Sequence, residues 1–243
     1  VPQVLAYHRP ETVADVLELL RRPHTTVLAG GTHLNAFPPT QGYEVVDVQA
    51  LDMAGIRSED GRLMVGAGVR LSDLAESDEV PALLRELARR EMPSVLRDMA
   101  TVGGTVASRD PESELIAGLL VHEAVLTVAT GEGDQQMGLP EVLAAGLPAA
   151  TLLTDIALAV EGSTAVERTG RTPGDRSIVA AVGRKRPDSS ILIALTGVGP
   201  TPVLVDPAAP TTGLVPVADF RGSYEYRLML AATLADRVLG RLG

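Results

Sequence analysis

Two short glycine turns constrain this chain more than any other feature: Ala29-Gly30-Gly31-Thr32 and Thr101-Val102-Gly103-Gly104-Thr105, about seventy residues apart. Adjacent glycines bring backbone close to a ligand with no Cβ in the way. Successive N–H groups at such a turn form a concavity suited to an anion, phosphate above all. A single Gly-Gly-Thr is an ordinary turn. Two of them, both continued by Thr, point to a diphosphate held between them.

Backbone amides bind phosphate without any net positive charge, which matters in a chain of formal net charge −10. That charge argues against tracking a nucleic-acid backbone. An aromatic content of 2%, with no Trp, argues against a base-stacking platform. The chain has no Cys, so it carries no disulfide, thiolate zinc site or iron–sulfur cluster. His8, His24 and His122 show no metal-ligand spacing, and no metal site is expected. A 45% hydrophobic content supplies a core, yet no apolar run approaches membrane-spanning length and no signal-peptide pattern opens the chain. The expectation is a soluble cytoplasmic protein without membrane insertion.

The periodicity predicts an amphipathic helix over residues 12–20, with Thr12 and Asp15 at capping-box spacing, then a strand over 25–28 that runs into the first glycine turn. Residues 45–48 read as a buried strand. Asp60-Gly61 between two β-prone runs reads as a hairpin turn. Ser72 is placed as the cap of a short helix to Glu76, followed by helices over 80–90 and 94–100 and a helix opened by Pro111 and Glu112 that runs to Leu120. Strands are predicted over 124–129 and 156–160, with proline-broken turns near Leu139-Pro140 and Leu147-Pro148. Further strands are predicted over 177–182, 191–196 and 202–205, and a last helix over 223–242. Mixed strands capped by helices indicate an α+β architecture.

With both glycine turns in view, the chain resembles the FAD-binding (medium) subunit of the xanthine dehydrogenase and carbon monoxide dehydrogenase molybdenum hydroxylases. The resemblance rests on Tyr7-His8-Arg9-Pro10-Glu11-Thr12, Val27-Leu28-Ala29-Gly30-Gly31-Thr32, Val65-Gly66-Ala67-Gly68-Val69, Leu71-Ser72-Asp73-Leu74, Ala100-Thr101-Val102-Gly103-Gly104 and Gly222-Ser223-Tyr224-Glu225-Tyr226-Arg227. It implies a two-lobed FAD-binding domain of the vanillyl-alcohol-oxidase type over residues 1–162, with lobes of about 1–50 and 51–162. A small α+β C-terminal domain over 163–243 would follow. It also implies that Ala29, Gly30, Gly31, Thr32, His33 and Leu34 wrap the FAD diphosphate and that Thr101, Val102, Gly103, Gly104 and Thr105 form the second loop.

Thr105 stands where the family commonly has Asn. Glu114, in Asp110-Pro111-Glu112-Ser113-Glu114, stands where a shorter Asp usually binds a cofactor ribose hydroxyl. Leu153 matches an apolar residue near the flavin, and a basic residue of the family falls at Arg168 or Glu167. In such complexes a large subunit carries a molybdenum cofactor and a small subunit carries 2Fe–2S clusters. Electrons reach the flavin from those clusters and leave to an acceptor such as NAD, and the isolated flavin chain can self-associate. The readings beside this one are an FAD-free structural subunit of the same fold and a stand-alone FAD oxidoreductase.

Among the remaining charged groups, His33 is read as a loop histidine. Arg184-Lys185-Arg186 is read as a solvated turn, and Arg85, Arg89 and Arg90 as an exposed helix face.

Overall fold

The structure is a computed structural model that describes residues 3–170, 172 and 175–243. The first sheet is small and wholly parallel. Strand β1 (Val4–His8) leads through helix α1 (Val13–Leu20) to β2 (Thr25–Leu28), and helix α2 (Thr32–Ala36) precedes β3 (Tyr43–Asp47), which lies between the other two. Thr12 caps α1 by accepting the Asp15 N–H, as its spacing predicts. Val16 and Leu17 of α1 pack on Val46 and Val48 and reach Ala129 and Leu152 of the next sheet.

That second sheet is antiparallel, in the order β4 (Ile56–Glu59), β5 (Arg62–Gly66), β8 (Leu152–Ala159), β6 (Val125–Thr130) and β7 (Gly133–Gly138). Asp60 and Gly61 both have positive φ, 49° and 74°, which is the turn that suits the twist of the β4–β5 hairpin. Between β5 and β6 run α3 (Leu71–Glu76), α4 (Ala82–Glu91), α5 (Ser94–Arg97), α6 (Val102–Ser108) and α7 (Glu114–Val121). Helix α8 (Leu139–Ala145) follows β7.

Several predicted boundaries move for identifiable reasons. Ser72 lies inside α3, whose cap is Arg70. Helix α7 begins at Glu114 because the Ser113 hydroxyl accepts the Ile116 N–H, so Pro111 and Glu112 precede it. Leu139-Pro140 opens α8 instead of breaking the chain, since proline is tolerated in a first turn. The predicted 94–100 helix stops at Arg97, and the polar strand β7 was not anticipated.

The third sheet is β9 (Ser163–Thr169), β10 (Val179–Lys185), β11 (Ile191–Thr196) and β12 (Val203–Val205), antiparallel throughout. It lies between α7 and the last helix, α9 (Tyr224–Leu242). Val182 and Ala194 join the core around α7, while Val179, Ala181, Ile193 and Leu195 face Leu234, Ala235 and Val238 of α9. This alternation follows from the two-residue period of a strand. All eight residues of α7 are therefore buried.

Arg184 is not in a solvated turn. It is 2% exposed at the end of β10, where it donates to the carbonyls of Val121 and Glu161 and pairs with Glu123 at 2.9 Å. Beside it, His122 is fully buried and its Nδ1 donates to the Ala159 carbonyl at 2.6 Å, while Nε2 has no partner. Burial holds this imidazole down to about 4, assisted by the Arg184 charge and opposed by the Ala159 carbonyl. A histidine kept neutral in the fold but protonated near 6.5 when unfolded leaves stability intact above that pH. Stability is then lost as pH falls from 6.5 toward 4, by up to about 3 kcal/mol. Urea unfolding across this range should show that acid slope, and His122→Asn should flatten it while lowering stability at pH 7.

Candidate functional site

The fold brings the two glycine segments together at the junction of two cavities. Gly30 packs directly against the Met99 carbonyl, so closely that a Cβ at this position would overlap it. A Cβ on Gly103 would lie 2.7 Å from the Ala67 Cβ and 2.8 Å from its carbonyl oxygen. At both positions the missing side chain makes room for neighbouring backbone as well as for a ligand.

The segments differ in what they offer. Gly31 takes a left-handed conformation, φ 71°, at the entry to α2. The amides of Gly30, Gly31, Thr32, His33 and Leu34 donate to no acceptor among the described residues. Gln49 steadies this turn from below: its side chain donates to the Ala29 carbonyl at 2.9 Å, its own N–H is held by Asp47, and the Tyr7 hydroxyl also donates to Asp47.

The second segment is the start of α6, and its amides are spent. Val102 donates to the Val69 carbonyl and Gly103 to that of Ala67, each at 2.9 Å. Gly104 donates to the Thr101 hydroxyl and Thr105 to the Thr101 carbonyl. One segment presents free amides, and the other presents wall.

The first cavity, about 630 Å³, is bounded by Thr25, Gln49, Met53, Thr101, Gly103 and residues 149–153, with Ala29 through Leu34 on one side. The Thr25 hydroxyl oxygen in its wall is buried without a partner. The second cavity, about 780 Å³, shares Thr32, His33, Gly104 and Ser108 with the first. Its wall adds Phe37, Glu91, Thr105, Asp110, Arg168 and Arg176.

Of the sequence-predicted residues, Ala29 through Leu34, Thr101, Gly103, Gly104 and Leu153 line the first cavity and Thr105 the second. Val102 is fully buried and lines neither. Glu114 is 5% exposed and also stands behind the wall, where it pairs with Arg168 at 2.8 Å. Strand alternation sends the two candidates to different places: Arg168 lines the second cavity, while Glu167 pairs with Arg241 of α9.

Sequence reasoning missed Glu91. This last residue of α4 accepts the Leu115 N–H at 3.2 Å on the wall of the second cavity. Burial pushes its carboxyl up to about 7, against the Ser113 hydroxyl and the Leu115 amide. No group of metal-ligating side chains occurs among the described residues. None of the helices described is long and apolar enough to cross a membrane.

A family model described as the FAD binding domain in molybdopterin dehydrogenase matches residues 3–160. The chain belongs to this family. FAD is the cofactor of this molybdopterin dehydrogenase chain, and the residues present fit it. Five amides without an acceptor among the described residues line the first cavity, those of Thr32 and His33 where it meets the second, and an unpartnered hydroxyl faces the first.

The carbon monoxide dehydrogenase medium chain of Afipia carboxidovorans is 28% identical over 99% of this chain and 97% of its own length. The uncharacterized protein YgfM of Escherichia coli K12 is 28% identical over 94% of this chain and 92% of its own. A crystallised carbon monoxide dehydrogenase from Hydrogenophaga pseudoflava, in a form lacking the Mo-pyranopterin moiety, superposes with a TM-score of 0.90. It covers 100% of this chain and 98% of the other at 24% identity, a likeness of fold.

Gly30→Ala is expected to push the two glycine segments apart at Met99, weakening FAD binding at least tenfold and lowering the melting temperature together. Flavin fluorescence titration and thermal circular dichroism measure the two effects.

Proposed function

We propose that the chain is the flavin-carrying electron-transfer subunit of a molybdenum hydroxylase. A large subunit with a molybdenum cofactor and a small subunit with 2Fe–2S clusters would be its partners. The observation that carries this reading is the run of amides Gly30 through Leu34, unbonded among the described residues, which lines the first cavity and meets the second at Thr32 and His33. An extended dinucleotide has this shape, a diphosphate with a ring system at either end, and oriented amides are a sufficient cradle for the charge.

The two cavities suit different ends. Among the described residues Arg70 is the first cavity's one formally charged side chain, which fits a neutral adenosine and puts Leu153 at the adenosine end instead of near the flavin ring. The second holds Arg168 and Glu91, groups that respond to charge, which fits the redox ring. Bound FAD supplies a carrier of one or two electrons. The chain's own residues position it. Gln49 and Asp47 fix the amide turn, Thr101, Gly103 and Gly104 close the opposite side, and Glu114 holds Arg168 by an ion pair at the ring end. With no cysteine, the chain receives electrons only from a cluster on another chain and passes them to an acceptor such as NAD. The flavin-binding part would end at residue 162, with 163–243 as the C-terminal domain.

FAD titrated into the apo chain should bind one to one. ADP should compete, and riboflavin, which lacks the diphosphate, should bind at least a hundredfold more weakly. Equal affinity for riboflavin, or no flavin binding, would overturn the reading.

A further inference from the structure

The second cavity is rich in cations, yet two of its acids, Glu91 and Asp175, form no ion pair among the described residues. Arg168 pairs with Glu114, Arg176 with Asp110 and Arg90 with Glu86, while Arg89 and Arg97 are held by backbone carbonyls. Glu91 stands on the same wall and forms no ion pair among the described residues. One of its carboxyl oxygens is fixed by the Leu115 N–H. The Ser113 hydroxyl beside it already accepts the Ile116 N–H and keeps its own proton to donate. The charged groups around this carboxyl are Asp110 and Arg176, with Arg97, Arg168 and Asp175 also on the cavity wall and Glu114 behind it, paired with Arg168. His33 closes the far side.

The geometry points to Glu91 as the residue that couples electron arrival in this cavity to proton uptake from solvent. This rests on the placement of the flavin ring in the second cavity. Were FAD bound there, its two-electron reduction with uptake of one proton would add negative charge to the cavity that Glu91 lines. A nearby carboxylate then gains proton affinity, because a like charge beside it disfavours its ionised form. Glu91 takes a second proton from water: one O–H bond forms on its carboxyl, the donor is a hydronium or buffer acid, and the electrons come from the reductant. Glu91 acts here as a positioning residue for charge. The neighbouring carboxylates are already engaged: Glu114 pairs with Arg168, Asp110 with Arg176, and the Asp175 carboxylate accepts the Thr172 N–H. Burial already brings Glu91 to about 7, so the extra uptake belongs at and above neutral pH.

Spectroelectrochemical titration of the FAD-loaded full chain from pH 6 to 9 tests this. For a two-electron couple each coupled proton contributes about 30 mV per pH unit. The chain should show one such increment above pH 7 that Glu91→Gln lacks, with FAD affinity preserved within a few-fold. Redox-difference infrared spectroscopy of the unsubstituted chain at pH 8 should show a protonated-carboxyl band appearing on reduction, and this measurement is independent of how the variant folds. An identical pH slope in Glu91→Gln, or absence of the band, overturns the role of Glu91 while leaving the flavin reading intact. Failure of the unsubstituted chain to bind FAD would instead overturn the flavin reading, and this inference with it.

Discussion

The site depends on one close approach, that of Gly30 to the carbonyl of Met99. Through it the end of the small parallel sheet touches the segment leading into α6, with no side chain between them. The far side of that segment is fixed in turn by the bonds from Val102 and Gly103 to the end of β5. Two sheets of different topology therefore share one narrow seam, and both cavities open from it. Bulk added at the seam would displace the wall of the first cavity, which Gly30 and Met99 both line.

The asymmetry between the two glycine segments has a physical origin. Residues 102–105 satisfy their N–H groups through α6 and through β5, as buried backbone must. Residues 30–34 sit at a partly exposed turn, where water satisfies them until a ligand does. A rigid wall opposite a donor-rich turn is a workable arrangement for an anion, since only one side has to be desolvated on binding.

Much of this was legible in the chain. The first turn, the Thr12 cap, the Asp60-Gly61 hairpin and the last helix are set by local chemistry, and local chemistry is written in short stretches of sequence. What was not legible depends on distant partners. The second glycine segment looks like the first until β5 claims its amides. Arg184 looks like one member of a surface run until the end of α7 covers it with the Val121 carbonyl and the turn beyond supplies Glu123. Glu91 has no local motif at all; its burial exists only once α4 and α7 are packed. Strand β7, Gly-Asp-Gln-Gln-Met-Gly, is largely exposed and carries no apolar alternation to read.

The complete burial of α7 separates inheritance from autonomy. The family model ends at residue 160, but the sheet that covers one side of α7 starts at Ser163. A chain cut at the family boundary would bare an apolar helix, along with the unpaired carboxylates of Glu114 and Glu123 that Arg168 and Arg184 neutralise. The span of the family model is thus shorter than the unit that closes its own core, and the relatives that match nearly the whole chain carry the covering segment too. The C-terminal segment serves the flavin domain as a built-in lining.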